Sequence, residues 1–130
     1  ERDYSKPNTV FRSTLIGEVA NRNILLVDDI IDTGGSVISA IDELKNQGAL
    51  NINVACVHPL FNGPAWDRFG AVHQRATNEG WQFNMVGTNV IRHDNTPSWY
   101  HTFRIEKLVA QIVEKINARG SVTGVQDETQ

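Results

Sequence analysis

The sequence predicts an α/β domain, a mostly parallel sheet with helices on both faces. Three observations predict it. The run Ile24-Leu25-Leu26-Val27 is apolar without alternation, as in a strand covered on both sides. Strand-like runs alternate with stretches of helical periodicity along the chain. At 130 residues, with 40% hydrophobic and 21% charged content, the chain is of one-domain size and can build a real core. No internal repeat or low-complexity linker divides it, so residues 1–130 read as a single domain.

Residues 1–13 are polar, with charges and one proline, and read as a mobile loop or arm. Leu15–Val19 is a short strand candidate, and Asn23–Asp28 is the central buried strand. From Ser36 to Gln47, Val37, Ile41 and Leu44 share one helical face, with Lys45 in the last turn and Gly48 as the stop. Ile52–His58 is the next strand, ended by Pro59. Pro64 suits the first turn of a helix through about Arg75. Phe83–Thr88 is another strand, and Tyr100–Phe103 a short last one. Ile105, Leu108, Val109, Ile112, Val113 and Ile116 form an amphipathic stripe expected to pack into the core, with Gly120 ending that helix. Residues 121–130 read as a polar tail.

The chemistry concentrates in Ile24-Leu25-Leu26-Val27-Asp28-Asp29-Ile30-Ile31-Asp32-Thr33-Gly34-Gly35-Ser36. A buried strand delivers two carboxylates to its C-terminal tip, and a loop of small residues leads into a helix. Open α/β sheets bind ligands at the carboxyl ends of their strands. A helix N-terminus behind a Gly-rich turn is a ready anion site, because successive N–H groups and the helix dipole favour negative charge there. Gly34 and Gly35 let a ligand approach the backbone. Thr33 and Ser36 add hydroxyl donors, and Ser36 also suits the N-cap. Asp28 and Asp29 can accept hydrogen bonds from a vicinal diol. Neighbouring strand residues point to opposite faces, so both acids meet one ligand only if the strand ends near them. Ile30-Ile31 suggests that the chain turns there and tucks apolar groups beneath the loop. Carboxylates for hydroxyls beside a cradle for phosphate are what a sugar phosphate needs. The role of Asp32 stays open, since a carboxylate beside phosphate must point away or cap N–H groups.

Other features exclude more than they assign. A net charge of −3 gives no nucleic-acid surface, and no apolar run reaches membrane-spanning length. Cytoplasm is the default compartment. The single cysteine, Cys56, lies in an apolar strand and reads as core. The four histidines are not spaced as a metal set, and no protein-held metal site is expected. Trp66 reads as packing, while Trp99 and Tyr100 suit a pocket cover or an interface.

The thirteen-residue segment resembles the phosphoribosyl pyrophosphate (PRPP) motif of type I phosphoribosyltransferases and ribose-phosphate pyrophosphokinases, and every position is compatible with it. The resemblance continues in Arg2-Asp3-Tyr4-Ser5-Lys6-Pro7-Asn8, Ala55-Cys56-Val57-His58-Pro59, Asn62-Gly63-Pro64-Ala65, Gly87-Thr88-Asn89-Val90-Ile91 and Gly120-Ser121-Val122. Purine phosphoribosyltransferases usually carry Glu-Asp ahead of the loop, so the chain is most similar to the second half of a two-domain ribose-phosphate pyrophosphokinase. That resemblance implies a phosphoribosyltransferase-like fold. It implies Mg²⁺-dependent transfer of pyrophosphate from ATP to ribose 5-phosphate to make PRPP. Asp28 and Asp29 would orient the ribose, Asp32 to Ser36 would hold the 5-phosphate, and Arg2 would be the catalytic cation of a closing loop. The ATP half would lie mostly outside these residues, so this chain alone is expected to be an incomplete catalytic unit. Assembly as a homo-oligomer is implied as well. Two other expectations stand beside this one: a phosphoribosyltransferase using PRPP and a nucleobase, and a non-catalytic PRPP-binding regulatory partner. The stretch Arg92–Phe103 departs from the family in its His, Trp and Tyr content.

Overall fold

The computed structural model describes residues 17–118 and, before them, the backbone of two short strands. These are β1 (Arg2–Asp3) and β2 (Thr9–Val10), paired antiparallel with Arg2 opposite Val10. The main body follows as β3 (Ile24–Ile31), α1 (Gly35–Asn46), β4 (Ile52–Pro59), α2 (Ala65–Glu79), β5 (Phe83–Thr88), β6 (Tyr100–Phe103) and α3 (Glu106–Asn117). Among the described residues β3 to β6 form one parallel sheet in chain order, with Val54 between Leu26 and Met85 at its centre. The parallel α/β class read from the sequence is the observed one. Gly17–Val19 is not strand. Leu15 and Ile16, the side chains of the 1–13 arm, Gly120 and the 121–130 tail lie outside the described residues.

Helices α1 and α2 lie on one face of the sheet. Strand alternation sends Ile52, Val54, Cys56, Phe83 and Met85 to one side, where Val37, Ile41 and Leu44 of α1 and Phe69, Val72 and Ala76 of α2 bury them. The two helices share that side, and Arg75 of α2 reaches Asp42 of α1 at 2.7 Å. The strand order explains this. Right-handed crossovers between sequential neighbours all return over the same face. The opposite face carries Leu25 and Val27 at 62% and 73% exposure.

The stripe on α3 also differs from expectation. No residue of α3 is buried; Leu108 and Ile112 are half-buried, and Val109, Val113 and Ile116 are exposed. The helix follows β6, a four-residue edge strand that offers it little surface.

The aromatic segment, by contrast, belongs to the core. Trp99 and Tyr100 are buried, so they do not form an exposed interface. Trp66 stands edge-on to Phe61 at 4.7 Å and to Tyr100 at 5.1 Å, and Trp99 lies 6.0 Å from Trp66. His93 stacks on Phe61 at 5.6 Å and donates from Nε2 to the Pro59 carbonyl. Residues 92–99 are therefore a loop leading into β6, and with Tyr100 of that strand they fold their rings back onto Phe61 after β4 and Trp66 at the start of α2.

Candidate functional site

The site begins where β3 loses its alternation. Asp28 is half-buried, Asp29 and Ile30 are both exposed, and Ile31 is buried at 2% exposure. The strand does not stop at Asp28; it pairs with β4 through Ile31 opposite Pro59. Asp29 makes no such pair, and the N–H of Ile30 instead donates to Asp29 Oδ1 at 2.9 Å and, less closely, to Asp28 Oδ1 at 3.4 Å. That local substitution of side chain for ladder lets consecutive residues face the same edge. Of the pair expected to tuck beneath the loop, Ile31 does so and Ile30 stays exposed at 49%.

Past Ile31 the chain turns through Asp32 and Thr33, and Gly34 takes the left-handed conformation with φ 84°. Gly34 is the N-cap of α1, not Ser36, and has no side chain with which to accept from the first N–H groups. Ser36 sits in the first turn with its side chain exposed. A Cβ at Gly34 would stand 2.8 Å from the Phe69 ring, so the core itself requires glycine there. At Gly35 a Cβ would meet only Arg68 Nη1, at 3.4 Å.

These residues line one cavity of about 660 Å³. Asp28, Ile30 and Ile31 come from β3, Asp32 to Ser36 from the loop and helix start, and Pro64 and Arg68 from the start of α2. The structure thus brings together Asp28, Asp32, Thr33, Gly34, Gly35 and Ser36. Asp29 is exposed beside them but is not part of the lining. Asp32 is braced from outside the loop: Asn62 Nδ2 donates to its Oδ1 at 2.9 Å, and the Asn62 N–H donates to its carbonyl at 3.0 Å. Arg2 lies on β1, and its side chain is outside the described residues. The backbone of β2 approaches α1, which brings that arm to the helix that opens at the site.

Sequence reasoning missed Arg68, whose Nη1 donates to the Thr33 carbonyl at 3.0 Å, and Asn62. Nothing local announces either, since both act across about thirty residues of chain. His58 is exposed and lies outside the cavity. Cys56 is buried, and burial pushes its thiol up, away from the thiolate form a nucleophile needs. Among the described residues no group of three His, Cys, Asp or Glu side chains is placed to hold a metal ion. No helix among them is long and apolar enough to cross a membrane.

A parallel sheet with an acid-tipped strand, a glycine turn and an open helix N-terminus defines an α/β domain with a ligand cavity at the carboxyl edge of its sheet. The profile of the phosphoribosyl transferase domain family matches residues 2–89, which contain every element of that cavity, and the chain belongs to this family. It is similar to the ribose-phosphate pyrophosphokinase of Mycobacterium leprae, with 34% identity over 126 residues, 97% of this chain and 37% of the relative. Its similarity to the enzyme of the same name from Staphylococcus haemolyticus is 33% over 120 residues, 91% of this chain and 35% of the relative. Among solved structures it resembles the phosphoribosylpyrophosphate synthetase of Mycobacterium smegmatis. There the TM-score is 0.65 and the identity 26%, over 81% of this chain and 33% of that one. The chain therefore spans about a third of the length of the relatives it matches.

Proposed function

We propose that this domain binds ribose 5-phosphate and PRPP as the sugar-phosphate half of a ribose-phosphate diphosphokinase, which transfers pyrophosphate from ATP to ribose 5-phosphate. One observation carries the reading: Asp28 and the Thr33–Ser36 loop open into the same cavity, so hydroxyl acceptors and phosphate donors stand within one ligand's reach. The names of the matched relatives support it over a nucleobase phosphoribosyltransferase.

In this reading Asp28 accepts from the ribose hydroxyls, and Asp29, exposed next to it, supplies its second oxygen. The N–H groups at the start of α1 and the hydroxyls of Thr33 and Ser36 receive the 5-phosphate. Asp32 is turned toward Asn62, which lowers its repulsion of that phosphate. Pyrophosphoryl transfer depends chiefly on positioning and charge neutralisation, and Arg2 on the arm is the cation assigned to the transferring group. The donor set suits Mg²⁺ carried on substrate oxygens, since Mg²⁺ keeps waters and needs one or two carboxylates. Held on the phosphate oxygens, it would offset the charge of the polyphosphate. In this reading the ATP site lies mostly outside these residues, and assembly as a cytoplasmic homo-oligomer belongs to the same proposal.

Calorimetric titration with ribose 5-phosphate, ribose and inorganic phosphate tests it. The expected order of affinity is ribose 5-phosphate, then phosphate, then ribose, with Asp28→Asn weakening the sugar-bearing ligands only. Equal heats for all three, or no binding of ribose 5-phosphate, would end this reading.

A further inference from the structure

Arg68 has no place in the assignment above, yet among the described residues it is the cation that lines the cavity. It sits in the first turn of α2, where its N–H donates to the Pro64 carbonyl at 2.9 Å. A cation there opposes the helix dipole, so helix stability does not explain it. It pairs with no carboxylate among the described residues. Its guanidinium instead crosses to the loop and donates to the carbonyl of Thr33 at 3.0 Å.

We propose that Arg68 is a positioning residue that fixes the Thr33–Gly34 peptide so that the loop offers N–H, not carbonyl oxygen, to an anion. The inference rests on the sugar-phosphate reading of the cavity. No peptide bond among the described residues is cis, and in a trans unit C=O and N–H point opposite ways. Holding the Thr33 oxygen toward Arg68 therefore directs the Gly34 N–H away from it. Gly34, at φ 84°, is the loop residue with the widest backbone freedom, so this peptide is the one that needs an external anchor. Turned over, it would present a carbonyl oxygen to a phosphate, which is repulsive. The anchor is rigid because Phe69, the next residue on α2, is fully buried.

The test compares wild-type chain, Arg68→Met and Arg68→Lys by titration with ribose 5-phosphate and by the Gly34 amide resonance in ¹⁵N spectra. Arg68→Met should bind ribose 5-phosphate roughly ten- to thirtyfold more weakly, the loss expected for a charge-assisted hydrogen bond. It should melt at the wild-type temperature and shift the free-state Gly34 amide while leaving that of Gly80 in place. Arg68→Lys, which keeps a charged donor, should recover most of both effects. Wild-type affinity in Arg68→Met, an unmoved Gly34 amide, or no recovery with lysine would overturn the proposal. If the wild-type chain binds no sugar phosphate, the cavity reading fails, while the Gly34 amide still decides whether Arg68 sets the peptide.

Discussion

In the aromatic cluster, Gly87 is walled in: an added Cβ would collide with Tyr100 Oη and come within 3.0 Å of Pro59 Cγ. In the loop after β3, Gly35 faces only the end of an exposed arginine, at 3.4 Å, and its φ is one any residue can adopt. Gly34 stands between these cases, with a positive φ and a buried ring against it. The comparison separates glycine required by packing from glycine that packing leaves unexplained. Only the second kind points to something outside the protein, and here it lies beside the cavity that the carboxylates face.

The largest break should come at Gly87. Gly87→Ala overpacks a site bounded by a buried ring and should cost about 3 kcal/mol in urea unfolding. The added Tyr100→Phe change should return only part of it, because the ring carbon Cζ is itself 3.0 Å away. Sugar-phosphate affinity of the folded fraction should be unchanged. Gly34→Ala comes next, at about 2 kcal/mol, combining the left-handed backbone with displacement of the Phe69 ring. It should weaken ribose 5-phosphate binding as well, since the same turn shapes the loop. Gly35→Ala should reverse the pattern. Alanine in a helix is favoured over glycine by about 1 kcal/mol, so melting should hold or rise slightly. Ribose 5-phosphate affinity should nonetheless fall at least about tenfold, the cost of one blocked charge-assisted contact. If stability and affinity fall together at Gly35, the distinction between the two glycines is wrong.

The sequence showed most of this fold because each element carries its own period. The 37–41–44 face and the Phe83–Thr88 strand were legible residue by residue, and the observed bounds differ by a few positions. The run into Asp28 is a strand, but among the described residues it lies at the sheet edge with Leu25 and Val27 exposed, not at the buried centre its composition predicts. The loop was legible because small residues after a strand have few other uses. Tertiary choices were not legible. The α3 stripe has the right spacing for burial, but spacing cannot say whether a surface exists to receive it. Trp99 and Tyr100 look the same in sequence whether they face a partner or Phe61. Arg68 and Asn62 meet the loop only because α2 starts beside it. Ser36 reads as a cap in one dimension, whereas the turn at Gly34 moves the cap two residues earlier.

The smallest effect sharpens the packed side of the comparison. Burial pushes the Tyr100 hydroxyl up to about 12 from its ordinary 10.0. Between these values the folded chain keeps a proton that the unfolded chain has lost, so stability must fall as pH rises through that window. Below pH 10 both states are protonated and the group contributes no slope. Phenylalanine has no such proton. Tyr100→Phe should therefore melt within a few degrees of wild type at pH 7 and lose less stability than wild type between pH 10 and 12. The buried Cys56 thiol, also held up by burial, titrates in both proteins and leaves a shared decline, so the quantity to follow is the difference between the two melting curves. That difference should move in favour of the variant as pH rises past 10. A constant gap from pH 8 to pH 11.5 would mean that the hydroxyl is solvated, and that the wall Gly87 faces is softer than its geometry implies.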